Sequence, residues 1–253
     1  MRLPALALVF LVASASAGEP SVSPESDWNQ ALRRGDVATL KTLLGVVEDP
    51  DEGADSGRTA LMLAAQKGDA ALVGRLVEAG ADVNARNPND GTPLMYGAAG
   101  GNPEVLRRLL AAGADVEARA KLGWTPLLVA AAKGRTEAAR VLVAGGADAN
   151  ARDVYGWTPL MRALSGEYRE TAEVFLGLPD VDLDVQEESG NTALHLAAAA
   201  GDAEAVRDLL ERGASPTVMN HLGMTPLDVA LSLGREGVAG LLAEAGSLPA
   251  EAR

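Results

Sequence analysis

The chain has 253 residues, with 22 Lys and Arg against 35 Asp and Glu, two His, no Cys and 3% aromatic residues within a hydrophobic fraction of 47%. The lack of cysteine excludes a disulfide framework, a Cys-ligated metal site and a thiol nucleophile. The formal charge of −13 argues against binding to nucleic acid or to an anionic membrane surface, since both require basic residues. A hydrophobic fraction so poor in aromatic rings predicts a helical core of Ala, Leu and Val.

The first 17 residues have the pattern of a secretory signal peptide. Arg2 precedes a short apolar run from Leu3 to Ala13, and Ala15-Ser16-Ala17 fits a cleavage site. The run is shorter than the ~20 apolar residues that span a bilayer. Removal of residues 1–17 takes away one base and no acid, so the mature chain has a formal charge of −14.

Six copies of one apolar block recur along the rest of the chain. Successive copies are 33, 33, 33, 34 and 33 residues apart, measured between their opening threonines: Thr59, Thr92, Thr125, Thr158, Thr192 and Thr225. A glycine lies nine residues after most of these threonines, as at Gly68, and an exit such as Gly80-Ala81-Asp82 follows. Three landmarks in the same register indicate an array of structural repeats.

Each landmark has a local structural interpretation. Thr followed by Pro is typical of a helix start, because the hydroxyl caps free amides and Pro needs no hydrogen bond there. The first short helix is predicted over residues 61–66 and ends at Gly68. A second helix is predicted over residues 102–112, with an apolar stripe of Val105, Leu106, Leu109 and Leu110. One unit cannot bury its stripe alone, so the units are expected to stack.

This set of motifs resembles the ankyrin repeat, with its Gly-x-Thr-Pro-Leu-His opening, mid-repeat Gly, paired-Leu second helix and Gly-Ala-Asp exit. The resemblance covers residues 27–246 and implies an all-α solenoid of helix-turn-helix units joined by extended hairpin-like turns. Six units have the Thr anchor, and the residues from Trp28 to Asp36 open a seventh unit that lacks it. Only His195 keeps the family's His, which implies a structural role between repeats. The fourth anchored unit departs from the pattern, with Arg162 where an apolar residue is usual.

These patterns divide the chain into five segments. The predicted segments are a signal peptide at 1–17, a flexible leader at 18–26, an N-terminal capping unit at 27–57, an ankyrin-repeat array at 58–246 and a C-terminal tail at 247–253.

The sequence offers little for catalysis, cofactors or metals. His195 is at a scaffold position and His221 is on a predicted turn tip, and neither belongs to a nucleophile, phosphate-loop or zinc motif. The acidic stretches 48–52 and 180–188 lack calcium-loop spacing. We therefore predict no enzyme and no catalytic, cofactor-binding or metal-binding residue. Two alternatives of other classes stay open: a metal- or small-ligand-binding protein that uses the acidic loops, and a hydrolase that uses a histidine.

The resemblance implies that a partner binds the concave surface formed by the turn tips and the first helices. Two of the mature chain's three Trp occupy the same tip slot, 33 residues apart. Such large, rigid side chains are typical binding anchors, although both indoles could instead pack on the adjacent repeat. The predicted partner-binding residues are Lys121, Leu122, Trp124, Val154, Tyr155, Trp157, Leu222 and Met224.

Taken together, these features favour an exported, non-enzymatic scaffold or regulator that binds another protein. The acidic charge is compatible with a basic partner, and we expect a monomer with no nucleic-acid partner and no membrane contact after signal cleavage. The short signal and the lack of cysteine and Asn-x-Ser/Thr sequons favour the periplasm, or otherwise secretion. Resemblance to exported bacterial ankyrin proteins implies two roles: an inhibitor or immunity protein of a toxic enzyme, or an accessory factor of a periplasmic enzyme such as a catalase.

Overall fold

A computed structural model describes residues 23–54 and 56–247 of the chain. The predicted signal peptide, most of the predicted leader and nearly all of the predicted C-terminal tail lie outside these residues. The described part is helical, with fourteen α-helices and no β-strand. None of its helices is both long enough and apolar enough to cross a bilayer.

The helices form two layers. The first helix of each unit belongs to one layer: α1 (Pro24–Arg34), α3 (Ala60–Lys67), α5 (Pro93–Gly100), α7 (Pro126–Ala132), α9 (Pro159–Ser165), α11 (Ala193–Ala200) and α13 (Pro226–Ser232). The second helices form the other layer: α2 (Val37–Leu43), α4 (Ala70–Glu78), α6 (Pro103–Ala111), α8 (Thr136–Ala144), α10 (Arg169–Leu176), α12 (Ala203–Glu211) and α14 (Glu236–Ser247). From α3 onwards each helix packs against the next helix of its own layer and against its partner within the unit. This serial packing confirms the predicted all-α solenoid.

The first helices of the six anchored units each begin directly after the predicted threonine. Thr125 Oγ1 accepts a hydrogen bond from the amide of Leu128 at 3.3 Å, and Pro126 is the first residue of α7. At the other end of such a helix, Gly68 closes α3 with a φ of 74°, a conformation that glycine adopts without strain. Helix α3 is one residue longer at each end than the predicted 61–66.

The N-terminal unit begins earlier than predicted. Helix α1 starts at Pro24, and Ser23 caps it by accepting a hydrogen bond from the amide of Ser26 at 3.2 Å. The helix therefore extends three residues into the segment predicted as a leader. Trp28 on α1 is wholly buried, and its Nε1 donates to the carbonyl oxygen of Glu52 at 3.1 Å. This Trp belongs to the core.

The core consists mainly of Ala, Leu and Val, as the composition predicts. On α6, Val105, Leu106 and Leu109 are wholly buried and Leu110 is partly buried. Burial of such a side chain contributes about 1.5–3 kcal/mol relative to leaving it exposed. Because the core contains few aromatic side chains, the aromatic residues on the turns between units are not explained by core packing alone.

Candidate protein-binding surface

Five turns connect the anchored units, and we call them the tips: residues 87–91, 120–124, 153–157, 187–191 and 220–224. Each tip is closed by a backbone hydrogen bond from its first residue to its last, as from Asp153 N to the carbonyl oxygen of Trp157 at 3.2 Å. In four tips a polar first side chain also holds the turn. Asp153 Oδ1, for example, accepts from the amides of Tyr155 at 2.9 Å and Trp157 at 3.0 Å.

Neighbouring tips are joined by backbone hydrogen bonds. The amide of Val154 donates to the carbonyl oxygen of Leu122 at 3.0 Å, and the amide of Glu188 donates to that of Tyr155 at 2.8 Å. Equivalent bonds join the first tip to the second and the fourth to the fifth. The tips therefore form one continuous row that is held by hydrogen bonds. We call this row, with the adjoining ends of the first helices, the repeat-tip surface.

A ladder of arginines stabilises the row. The guanidinium groups of Arg86 and Arg119 donate to the carbonyl oxygens of Arg119 and Arg152, each at 3.0 Å. Arg152 in turn donates to the carbonyl oxygen of Gln186 at 2.8 Å. The ladder was not predicted, although the 33-residue spacing of the three arginines is a signal that could have indicated it.

The two tip tryptophans are half-buried and contact Arg162 of α9. The Cζ atom of Arg162 lies 4.8 Å from the ring centroid of Trp124 and 4.7 Å from that of Trp157. Such cation–π contacts contribute about 0.5–2 kcal/mol each. Arg162 also forms an ion pair with Asp153, whose side chain is wholly buried. We call these four residues the Trp–Arg cluster. Both indoles thus have an intramolecular packing role, and each keeps part of its surface exposed.

Several apolar side chains on the tips are exposed to solvent. The exposed fraction is 52% for Leu122, 62% for Val154 and 42% for Tyr155. Lys121 is also exposed, so the structure brings six of the eight predicted site residues together on two adjacent tips. The other two do not join them: Leu222 is exposed and Met224 is half-buried on the last tip, beyond the tip at 187–191.

Leu122 has an unusual backbone conformation. Its φ of 62° lies in the left-handed region, and Gly123 follows with a φ of 76°. A left-handed conformation costs a residue with a side chain roughly 1–2 kcal/mol. Strain of this kind tends to be kept at functional positions. Here it fixes an exposed leucine at the edge of the row.

A groove lies between the first two tips and the first helices below them. It has a volume of about 660 Å³, and its lining includes Tyr96, Leu122 and Trp124. Gly91, which lines the groove, occupies the slot that holds Trp in the next two repeats. Asn87 donates from Nδ2 to the Tyr96 hydroxyl at 2.9 Å and so holds the ring in place. Tyr96 was not predicted as a site residue, although it occupies the repeat slot that Arg162 occupies two repeats later.

Tyr168 lies away from this surface. It precedes α10, at the opposite end of α9 from Trp157, and its ring packs against Gly134 and Gly166. It therefore does not extend the row of tips.

His195 is a buried scaffold residue, as expected. The amide of Thr192 donates to His195 Nδ1 at 3.1 Å, so Nε2 carries the proton and donates to the carbonyl oxygen of Met224 at 3.0 Å. Burial lowers the pKa of His195 below its ordinary value, against the opposing effects of the Met224 hydrogen bond and the Glu187 charge. The ring therefore joins two neighbouring repeats in its neutral form.

The acidic loops are used for structural hydrogen bonds. Asp51 Oδ2 accepts from the amide of Asp82 at 2.7 Å, and Asp184 Oδ1 accepts from the amide of Ser215 at 2.8 Å. Among residues 23–54 and 56–247, no group of three His, Asp or Glu side chains is arranged to hold a metal ion. These two carboxylates therefore link neighbouring units.

Stacked helix-turn-helix units with one continuous row of tips define a helical-repeat scaffold, a class that binds partners over an extended surface. Three copies of a family model described as ankyrin repeats match residues 28–120, 101–185 and 168–251, and the chain belongs to this family. Ankyrin-repeat proteins are generally non-enzymatic scaffolds that bind other proteins. Comparison with curated proteins gives no match.

Proposed function

We propose that this chain is an exported protein-binding module whose contact surface is centred on the tips at 120–124 and 153–157. The observation that carries the proposal is the exposure of Leu122, Val154 and Tyr155 on turns fixed by hydrogen bonds to their neighbours. Exposed apolar residues on a rigid support lose little conformational entropy on binding, so a large part of their burial contributes to affinity. The half-buried indoles of Trp124 and Trp157 add area beside them.

The Trp–Arg cluster has a positioning role in this proposal. The Asp153 carboxylate holds both the tip amides and Arg162, and Arg162 holds the two indoles. The two half-buried rings are therefore held in place before a partner binds. Pre-organised aromatic anchors of this kind are typical binding hot spots.

Affinity capture with a matched pair of variants tests the proposal. Val154→Ser removes an apolar side chain that is 62% exposed on the tips, and Val46→Ser removes one that is 60% exposed in the N-terminal unit. Immobilised wild-type chain and the Val46→Ser variant should capture the same partner from the native compartment, and the Val154→Ser variant should capture much less. Equal capture by both variants would contradict the proposed surface.

Export to the periplasm is part of the proposal, and it rests on the signal-peptide pattern of residues 1–17. Cell fractionation with N-terminal sequencing tests it, and the mature chain should begin at Gly18. A chain that keeps Met1 and stays inside the cell would contradict it.

Once a partner is known, its activity with and without this chain distinguishes an inhibitor from an accessory factor, because an inhibitor lowers that activity and an accessory factor raises or preserves it.

A further inference from the structure

The groove beside Tyr96 differs in charge from the chain as a whole. The chain has a formal charge of −13, yet the groove lining includes one charged residue, Lys121, and no carboxylate. A second cation lies at its other side, because Arg58 Nη2 donates to Gln66 of the lining and its Cζ lies 5.5 Å from the Tyr96 ring centroid. Among the described residues, no carboxylate forms an ion pair with Arg58 or Lys121.

The groove is also suited to an apolar side chain. Met95, Tyr96 and Trp124 line it, and the strained residue Leu122 forms part of its edge. Asn87 and Asn89 contribute polar groups beside these apolar walls. A site with apolar walls and a few polar groups fixes the orientation of what it binds.

We propose that this groove binds an acidic segment of the partner protein. An aromatic or aliphatic side chain of the segment lies against Tyr96 and Trp124, and flanking carboxylates pair with Lys121 and Arg58. This inference rests on the proposed function and makes the partner more specific. The total negative charge of the chain favours a basic partner, whereas this groove favours an acidic segment.

The charges near the groove decide whether an acidic or a basic segment binds, because salt screens the more distant charges of the chain. At physiological ionic strength the Debye length is about 8 Å, so most carboxylates of an extended solenoid act weakly on a segment in the groove. Asp90 lies on the first tip between the groove-lining residues Asn89 and Gly91 and does not itself line the groove. Among the described residues, Lys121 is the one charged side chain that lines the groove, and Arg58 lies beside it against Gln66 and Tyr96.

Peptide display tests the proposal without knowledge of the partner. The mature chain is panned against random dodecapeptides, and the most enriched peptide is synthesised and titrated by fluorescence anisotropy. The expected peptides have two or more Asp or Glu beside an aromatic or aliphatic residue. Enrichment of basic peptides, of uncharged peptides or of none would overturn the proposal.

Charge-reversal variants then test whether the peptide binds in the groove. Lys121→Glu and Arg58→Glu should each weaken binding by about tenfold or more. Arg207→Glu, an identical charge change on an exposed residue of α12, should leave binding within about twofold of wild type. If Arg207→Glu weakens binding as much as Lys121→Glu, the total charge acts instead of the groove, and the proposal fails.

Filling the groove with an uncharged side chain gives a second test, which does not depend on charge. Ala99 lines the groove, whereas Ala132 occupies the same slot one repeat later and does not. Gln66 occupies this slot one repeat earlier, so the fold accepts glutamine there. Ala99→Gln should weaken peptide binding and Ala132→Gln should not, and equal effects would overturn the proposal. If neither substitution affects the peptide while Val154→Ser still abolishes partner capture, the acidic-segment inference fails and the proposed function stands.

Discussion

Asp153 and Arg162, nine residues apart, form an ion pair that joins the tip of the fourth anchored repeat to its first helix. The carboxylate is wholly buried, and the guanidinium is covered by two indoles. Loss of the arginine would leave a buried charge without its partner, which is far more costly than loss of the whole pair.

We therefore expect Arg162→Leu to lower the free energy of unfolding by about 3 kcal/mol. The double variant Asp153→Asn with Arg162→Leu should lose much less, because asparagine keeps an oxygen for the tip amides and carries no charge. Urea denaturation measures both. Arg169→Leu, which removes an exposed arginine from an ion-pair network on α10, is the control and should have a small effect. A loss as large for Arg169→Leu as for Arg162→Leu would contradict this account of the cluster.

Leu122→Asn should affect stability and binding in opposite directions. Asparagine tolerates a positive φ better than leucine does, so the variant should be up to about 1 kcal/mol more stable. It also removes an exposed apolar side chain, so partner capture should weaken. Thermal unfolding and capture are measured on the same preparations. Val154→Asn is the control, since its backbone is not left-handed, and it should weaken capture without a gain in stability. A loss of stability in Leu122→Asn would show that the strain is not relieved.

Stability should depend on pH through His195. Its pKa is lowered in the folded chain, so the unfolded chain binds a proton first as the pH falls. The contribution is present above the ordinary pKa of 6.5 and is lost as the pH drops below 6.5 towards the lower folded-state pKa. Urea midpoints at pH 7.5 and 5.5 should therefore differ more for wild type than for His195→Gln. His221→Gln changes the other histidine, which is exposed on a tip, and should keep the wild-type difference.

Substitution of both tip tryptophans separates packing from recognition. Trp124→Ala with Trp157→Ala removes both cation–π contacts, so some stability should be lost. Capture should fall more than it does for Arg162→Leu, which keeps the rings. A steep loss of stability with unchanged partner capture would assign the indoles to packing alone.

Much of the fold could be predicted from the sequence because its signals are local. Capping side chains, a proline in the first turn and a glycine at or just beyond the end act within one helix turn, so the boundaries of α3 and α6 fall within one residue of their predicted positions. The start of α1 has the same signal in Ser23-Pro24, and it was missed because that unit lacks the threonine anchor.

The site was less predictable because it depends on contacts between repeats. Arg162 stands out in the sequence as a charge at an apolar slot, but its contact with Trp124 becomes evident only when the units are stacked. The groove is lined by residues of three consecutive repeats, among them Gln66, Tyr96 and Trp124, and no sequence motif predicts such an arrangement. The continuous row of tips, in contrast, follows directly from the regular spacing.

Photo-crosslinking from the tips tests the central claim most directly. A photoreactive phenylalanine analogue is placed at Tyr155 and, in a control chain, at Val46, which is also exposed but lies in the N-terminal unit. Irradiation in the native compartment should attach a partner protein to the chain labelled at position 155 and not to the chain labelled at position 46. A crosslink at position 46 with none at position 155 would contradict the assignment of the repeat-tip surface.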